Sequence, residues 1–255
     1  MTALSHSRII QRASHSSGGL EGYDASVFEH PSVTVDVVLL SILEGSLHTL
    51  LVKRKEAPFV DHWALPGGFI HMDESLEASA ARVLESKTGL KSVFLEQLYT
   101  FGAPNRDPRT RVLSVTYYAL VDRERFKELS VDESILAKLH VPWRGEEGGL
   151  VYLWSRDGEP LTLAFDHQEM VSMSVKRLRG KLDYSPVAFQ LLPDNFTLHD
   201  LQKIHEAILG RKLNKDAFRK RLLATGLLVP TGALQQDVDH RPAALYQYVS
   251  LDREG

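Results

Sequence analysis

From Pro31 onward the chain alternates in polarity. Val33, Val35, Val37 and Leu39 are interleaved with Thr34, Asp36 and Val38, the two-residue period of a β-strand. Glu44-Gly45-Ser46 interrupts the run and a second apolar stretch follows at 47–52, so the two predict a hairpin. Further strand signals lie at 93–101, 112–121 and 150–154, and helical spacing at 75–87, 132–139 and 166–182. Strands separated by helices and long loops predict an α+β domain that ends near Tyr184, with Tyr184-Ser185-Pro186 as its boundary. The longest apolar run, 33–43, is interrupted by Thr34, Asp36 and Ser41 and falls far short of the ~20 residues of a membrane helix.

The pattern changes after the boundary. Thr197-Leu198-His199-Asp200 reads as a capping-box start with Asp in place of the longer Glu. Leu198, Leu201, Ile204 and Ile208 then form a helical stripe that Gly210 stops. Asn214 is a good N-cap for a second helix, and Leu213 and Phe218 occupy the two positions of a hydrophobic staple. Gly226, a short strand at 227–229, a turn-rich stretch through Asp239 and a strand at 244–249 follow. Helix, tight turn, helix and β-hairpin in that order predict a winged helix-turn-helix. At the other end, the first two dozen residues carry five serines, His6, His15 and Gly18-Gly19 without an apolar stretch, which predicts a flexible tail over 1–30.

Composition adds exclusions. The chain of 255 residues has no cysteine, which excludes disulfides, thiolate metal sites and a cysteine nucleophile and fits a reducing compartment. Its net charge of −3 gives no global argument for nucleic acid. Divided at Tyr184-Ser185-Pro186, however, residues 1–185 carry 21 basic against 25 acidic side chains and residues 186–255 carry 9 against 8. Six of those nine, Arg211, Lys212, Lys215, Arg219, Lys220 and Arg221, crowd into 211–221 with Asp216 as the one acid. With Phe218, Leu222 and Leu223 turned inward, Lys215 and Arg219 share a solvent face, with Lys220 beside them. By itself such a cluster is as readily a solvated surface. On the second helix of a helix-turn-helix it marks a duplex-contacting face, for which Arg211, Lys212, Asn214, Lys215, Arg219 and Lys220 are the candidates. Arg241, in His240-Arg241-Pro242 near the hairpin tip, is either a phosphate or minor-groove contact or an ordinary turn residue.

Gly67-Gly68-Phe69-Ile70-His71-Met72-Asp73-Glu74, a helix with Arg82 and a closing Gly89-Leu90 resemble the Nudix box. Gly68, Glu74, Arg82, Leu84, Gly89 and Leu90 fall on its fixed positions, and Trp63-Ala64-Leu65-Pro66-Gly67 resembles its approach. Where the resemblance implies metal-binding glutamates, the chain has Val83, Ser86 and Lys87. Their i, i+3, i+4 spacing would bring three carboxylates onto one helix face, the hard oxygen ligands that Mg²⁺ requires. Glu85 lies roughly 200° around the helix from Val83 and does not substitute, and the Lys87 ammonium would repel a divalent cation. The expectation is a protein with no catalytic residue, no bound metal and no cofactor. Glu74 and Arg82 are expected to pair internally, and Phe69 and Met72 to pack.

Such a scaffold can still hold a nucleotide, through backbone N–H groups around Gly67-Gly68 and through cationic side chains. In the loop 101–111, Arg106, Arg109 and Arg111, with Phe101 and Asn105, are the candidates for gripping phosphates and ribose hydroxyls, although alone the loop would read as a rigid surface turn. Arg54, at a strand end ahead of the box, is another. His62, His71, His140, His167, His199 and His205 show no tight metal-ligand spacing and are expected to be structural or exposed.

A Nudix-like domain with an altered box followed by a winged helix is similar to the Nudix-related transcriptional regulators of bacteria that control NAD metabolism. The resemblance runs from about Val33 to Tyr248 and includes the loop at 101–109, Leu163-Ala164-Phe165-Asp166-His167, Tyr184-Ser185-Pro186-Val187-Ala188-Phe189, Phe196-Thr197-Leu198, Phe218-Arg219-Lys220 and Arg241-Pro242-Ala243. It implies an α/β-sandwich Nudix-like domain for effector binding and dimerisation over 31–185 and a DNA-binding winged helix over 186–255. It also implies a cytoplasmic homodimer on double-stranded operator DNA, ADP-ribose as effector, and repression of NAD biosynthesis or salvage genes that the effector relieves. A symmetric dimer would read a palindrome with half-sites one or two duplex turns apart, each ~34 Å. Two rival readings are a working ADP-ribose hydrolase with an accessory C-terminal domain, and a ligand-binding protein whose winged helix docks another protein.

Overall fold

The computed structural model describes residues 24–129, 132–236 and 241–249. Most of the tail expected over 1–30 therefore lies outside the described residues, as does His240. Residues up to Pro31 form one unit and those from Ser32 a second. In the first, Ala25–Val27 make a 3-10 turn, with the Asp24 carboxylate accepting the Ser26 N–H at 2.9 Å.

In the second unit, β1 (Ser32–Leu43) and β2 (Ser46–Lys53) form the expected hairpin, joined at Glu44 and Gly45 with φ of 50° and 72°. Positive φ at both turn positions matches the twist of the flanking strands, and glycine adopts it without steric cost. β3 (Trp63–Ala64) pairs with β2 and β4 (Gly67–Phe69) with β1. α1 (Leu76–Thr88) starts where Ser75 accepts the Ala78 N–H and stops at left-handed Gly89. β5 (Phe94–Phe101), β6 (Val112–Leu120), the short α2 (Arg123–Lys127), β7 (Ser134–His140), β8 (Tyr152–Trp154) and α3 (His167–Lys181) complete the mixed sheet and its helices. The strand order is β5-β6-β1-β2-β7-β8, with β6 parallel to β1.

β1 is buried on both faces, which makes the sheet the middle of a sandwich. Val35, Val37 and Leu39 face a core shared with Ala80, Val83 and Leu84 of α1 and Phe126 of α2. Val38, Leu40 and Ile42 face the other core, shared with Met170, Val171, Val175 and Leu178 of α3. That second core continues without a break into Leu201, Ile204, Phe218 and Leu222.

Two expectations need correction. Residues 132–139 are not helical: most of that stretch is β7, whose Ile135, Leu136 and Ala137 pair with Leu51, Leu50 and Thr49 of β2. A short apolar run satisfies either period, and a free sheet edge decides it. Leu223 is 43% exposed instead of turned inward. Directly after Tyr184 and Ser185 comes a packed 3-10 helix, Pro186–Leu191, that buries Val187, Ala188 and Leu191.

The C-terminal elements follow the expected order: α4 (Leu198–Leu209), α5 (Lys215–Leu223), and a hairpin of β9 (Leu228–Leu234) and β10 (Ala244–Tyr248). The capping box is complete. Thr197 Oγ1 accepts the Asp200 N–H at 3.1 Å, and the Asp200 carboxylate accepts the Thr197 N–H at 2.9 Å. Phe196 exchanges two backbone hydrogen bonds with Tyr246, which ties the start of α4 to the hairpin. β9 extends through a stretch read as turn, to Leu234.

Candidate functional site

A cavity of about 540 Å³ opens between the β1–β2 end of the sheet, β4, the loop after β5 and the start of α3. At its floor the buried Asp36 accepts a hydrogen bond from Ser114 Oγ at 2.5 Å and faces His167 Nε2 at 3.7 Å. His167 Nδ1 accepts the Leu65 N–H at 3.0 Å. The ring proton therefore sits on Nε2 and points at Asp36. Burial pushes the His167 pKa down, with Asp36 opposing, so the imidazole stays neutral. Gly67 passes directly over this pair: a Cβ there would lie 2.0 Å from Asp36 Oδ1. Pairing of β4 with β1 places Gly68 opposite Val35, between the Val37 N–H bond to Pro66 O and the Ile70 N–H bond to Val33 O. In that antiparallel register the Gly68 N–H is directed at β1, and the Gly67 and Phe69 N–H groups turn away from it.

Phe165 stands between this cavity and a neighbouring one of about 800 Å³. It holds φ of 53°, a conformation in which an aromatic residue persists only when its surroundings fix it. Those surroundings are the Arg54 guanidinium 4.8 Å and the Arg109 guanidinium 5.9 Å from the ring centroid, with Phe59 edge-on at 4.9 Å.

The structure distributes the sequence candidates unequally. Arg54, Gly67, Gly68, Arg106 and Arg109 line the first cavity, Phe101, Asn105 and again Arg106 the second, and Arg111 neither. Arg111 instead donates to Gly102 O at 2.8 Å and closes the base of its loop. Arg106 is not a free phosphate clamp: its side chain is 4% exposed, and it donates to both Asp166 oxygens at 2.8 and 2.6 Å. Burial opposes its charge, and the Asp166 carboxylate more than offsets that and raises its pKa. The pair pins the loop to the start of α3, 60 residues away. Arg109 is half-exposed and forks onto the buried Asp107 at 3.0 and 2.8 Å, and that contact holds the Asp107 pKa down.

The expected pair of Glu74 and Arg82 is present, with Nε to Oε2 at 2.8 Å, and Glu74 also accepts the His71 N–H at 2.8 Å. These contacts bring the Glu74 pKa down to about 2, Arg82 contributing most. Phe69 and Met72 do not pack: Phe69 is 49% exposed and lines the first cavity, and Met72 is fully exposed. On α1, Val83 is buried in the core, Ser86 Oγ donates to Val83 O at 3.0 Å, and Lys87 reaches the first cavity. Among the described residues no group of three or more His, Asp and Glu side chains could hold a metal ion. A buried valine, a hydroxyl and an ammonium offer no set of oxygen ligands for a divalent cation.

The second candidate surface is on the C-terminal elements. Lys215 and Arg219 are exposed and share a groove with Thr197, His199, Ala243 and Ala244, next to Arg241 in the chain. Asn214 uses its side chain as the N-cap, accepting the Ala217 N–H at 2.9 Å. Arg211 and Lys212 are separated from that groove and line a cleft with Glu44, Lys203 and Glu206. Glu206, which the sequence did not single out, organises the turn between α4 and α5. It accepts the Leu213 N–H at 3.0 Å, the Lys212 ammonium at 3.0 Å and Gln202 Nε2 at 2.9 Å. Its pKa falls to about 2, chiefly through the Leu213 N–H.

α3 joins the two regions. It begins at Asp166 and His167 beside the first cavity and, near its other end, sends Arg179 to α4. The buried guanidinium donates to Ile208 O at 2.7 Å and Trp143 O at 2.9 Å and lies 4.4 Å from the Trp143 ring centroid.

Residues 32–143 match the family model described as NUDIX domain, and residues 188–248 the one described as NrtR DNA-binding winged helix domain. A protein of Acinetobacter baylyi described as ADPR responsive transcriptional repressor NtrR is 36% identical over 235 residues, which cover 91% of this chain and 88% of that protein. The crystal structure of Shewanella oneidensis NrtR complexed with a 27mer DNA is 33% identical at a TM-score of 0.71, covering 85% of this chain and 93% of that one. An ADP-ribose pyrophosphatase of Methanocaldococcus jannaschii is 37% identical over 91 residues, 36% of this chain and 52% of that enzyme.

Proposed function

Because the chain belongs to the NrtR family of Nudix-related transcriptional regulators, we propose that it is an ADP-ribose-responsive transcriptional repressor. In this reading it binds a palindromic operator as a cytoplasmic homodimer, controls NAD biosynthesis or salvage genes, and is released when ADP-ribose binds. Residues 31–185 hold the effector and the dimer contact, and residues 186–255 hold the DNA. The single observation that carries the reading is the presence in one chain of a cation-lined cavity and an exposed cationic helix of a helix-turn-helix.

The geometry suits each task. Arg109 and Arg54, stacked near Phe165, present cationic groups at the cavity beside an outward Gly67 N–H, a fit for a diphosphate. In this reading Lys215 and Arg219 make phosphate and major-groove contacts and Arg241 contacts DNA from the wing, and the exposure of Lys215 and Arg219 in one groove supports it. ADP-ribose acts only if it binds the operator-incompetent arrangement more tightly than the competent one. The side chains at Val83, Ser86 and Lys87 support binding without hydrolysis. The likeness of 91 residues to a pyrophosphatase favours the rival, a metal-dependent hydrolase.

Selection from random duplex DNA with the full chain, followed by anisotropy on the selected duplex, tests the proposal. Enrichment of a palindrome that ADP-ribose releases is the expected result. Recovery of no preferred duplex, or a complex indifferent to ADP-ribose, would overturn it.

A further inference from the structure

The three box positions that could not hold a metal leave a different group at the same place. Six basic side chains line the first cavity. Five of them are engaged: Lys53 with Asp61 at 3.3 Å, Lys55 with Glu133 at 2.8 Å, Arg54 with Pro58 O at 2.9 Å, Arg106 with Asp166 and Arg109 with Asp107. Lys87 has no hydrogen-bond or ion-pair partner among the described residues, and it is exposed to the cavity. Its backbone is fixed in the last turn of α1, and Val83 and Leu84 of that helix are buried in the core. Lys87 thus lines the cavity on a flexible four-carbon stem, with all three ammonium donors without a partner among the described residues. A divalent cation there would meet this charge and no carboxylate on that helix face.

We propose that Lys87 is an effector-binding residue whose ammonium supplies, as a resident monovalent charge, the neutralisation of a nucleoside diphosphate that a metal would otherwise supply, so that binding is independent of divalent cations. The inference rests on the cavity being the ADP-ribose site. Lys87 also lies at the negative end of the α1 dipole, a purely structural use that the test separates.

The experiment is calorimetric titration of the full chain with ADP-ribose, in EDTA and in Mg²⁺, at several NaCl concentrations, for wild type, K87Q, K87R and the S86E/K87E double variant, each with its thermal midpoint. Wild type is expected to bind equally in EDTA and Mg²⁺. K87Q should bind about 10- to 100-fold more weakly, the range for loss of a charge-assisted contact, with a shallower salt dependence. K87R should retain most of the affinity. S86E/K87E should bind poorly in EDTA and recover in Mg²⁺. A K87Q variant that shifts only its thermal midpoint and binds ADP-ribose like wild type at every salt concentration would overturn the role of Lys87 alone. Wild-type binding that requires Mg²⁺ would overturn its metal independence. Failure of wild type to bind ADP-ribose under any condition would overturn both this inference and the effector assignment.

Discussion

Arg179 is the residue whose removal should most clearly expose the joint between α3 and α4. Its side chain is buried with no carboxylate partner among the described residues, and that burial pushes its pKa down. What holds it are two close carbonyls, Ile208 O at 2.7 Å and Trp143 O at 2.9 Å, a longer contact to Gly145 O at 3.4 Å, and the Trp143 ring. Ile208 O belongs to the last turn of α4, where carbonyls lack partners further along the helix. Two charge-assisted hydrogen bonds are worth about 1.5–3 kcal/mol each. Relief of the desolvated guanidinium offsets part of that, so Arg179→Ala should lower stability by about 2–4 kcal/mol. Arg179→Lys should lose most of the same amount, because one ammonium cannot reproduce the planar fork or stack equally on the ring. Urea unfolding of the full chain reads this as a lower midpoint at unchanged slope. Since α3 starts at the cavity, Arg179→Ala should also bind ADP-ribose normally while its operator affinity responds less to it. A variant within about 0.5 kcal/mol of wild type, the range of an ordinary surface substitution, with full ADP-ribose response, would refute the reasoning.

Three further outcomes follow from the geometry. Gly67→Ala places a methyl 2.0 Å from Asp36 Oδ1 and should abolish ADP-ribose binding by calorimetry, whereas Gly68→Ala meets Val83 at an ordinary 3.5 Å and should be mild. Lys215→Ala and Arg219→Ala should each weaken operator binding and reduce its logarithmic salt slope by about 1, measured by anisotropy, with ADP-ribose affinity unchanged. Glu74 and Glu206, both drawn from an ordinary 4.5 to about 2, contribute stability that is present above about pH 4.5 and is lost as pH falls toward 2. Glu74→Ala and Glu206→Ala should therefore be less stable than wild type at neutral pH and lose less stability between about pH 4.5 and 2, read by urea unfolding at a series of pH values; a pH dependence as steep as that of wild type would contradict this.

What the sequence made legible was local. The β1–β2 turn, the Asn214 cap and the Thr197–Asp200 box rest on chemistry within four residues, and each appears in the structure where the chain pattern puts it. The 134–140 strand was not legible, because a seven-residue stretch with four apolar positions, Ile135, Leu136, Ala137 and Leu139, acquires its period only from the β2 edge beside it. The cavity was legible in part. Arg54 and Arg109 could be chosen as cations near a box. By contrast, the bidentate claim of Asp166 on Arg106 and the stacking of Asp36, Ser114, Gly67 and His167 join residues 31 to 131 positions apart, beyond any spacing rule. Lys87 was visible as a lost ligand, but its unpartnered place at the cavity emerges only when the other five cations are seen to be engaged.

The most direct test of a sensor that binds and does not cleave is one time course. The full chain is assembled on its fluorescent operator in Mg²⁺, a small excess of ADP-ribose is added, and anisotropy and the nucleotide pool are followed together for hours. The expected result is a fall in anisotropy that persists while ADP-ribose remains intact. Anisotropy that falls and then recovers as ADP-ribose is converted to AMP and ribose phosphate would contradict it.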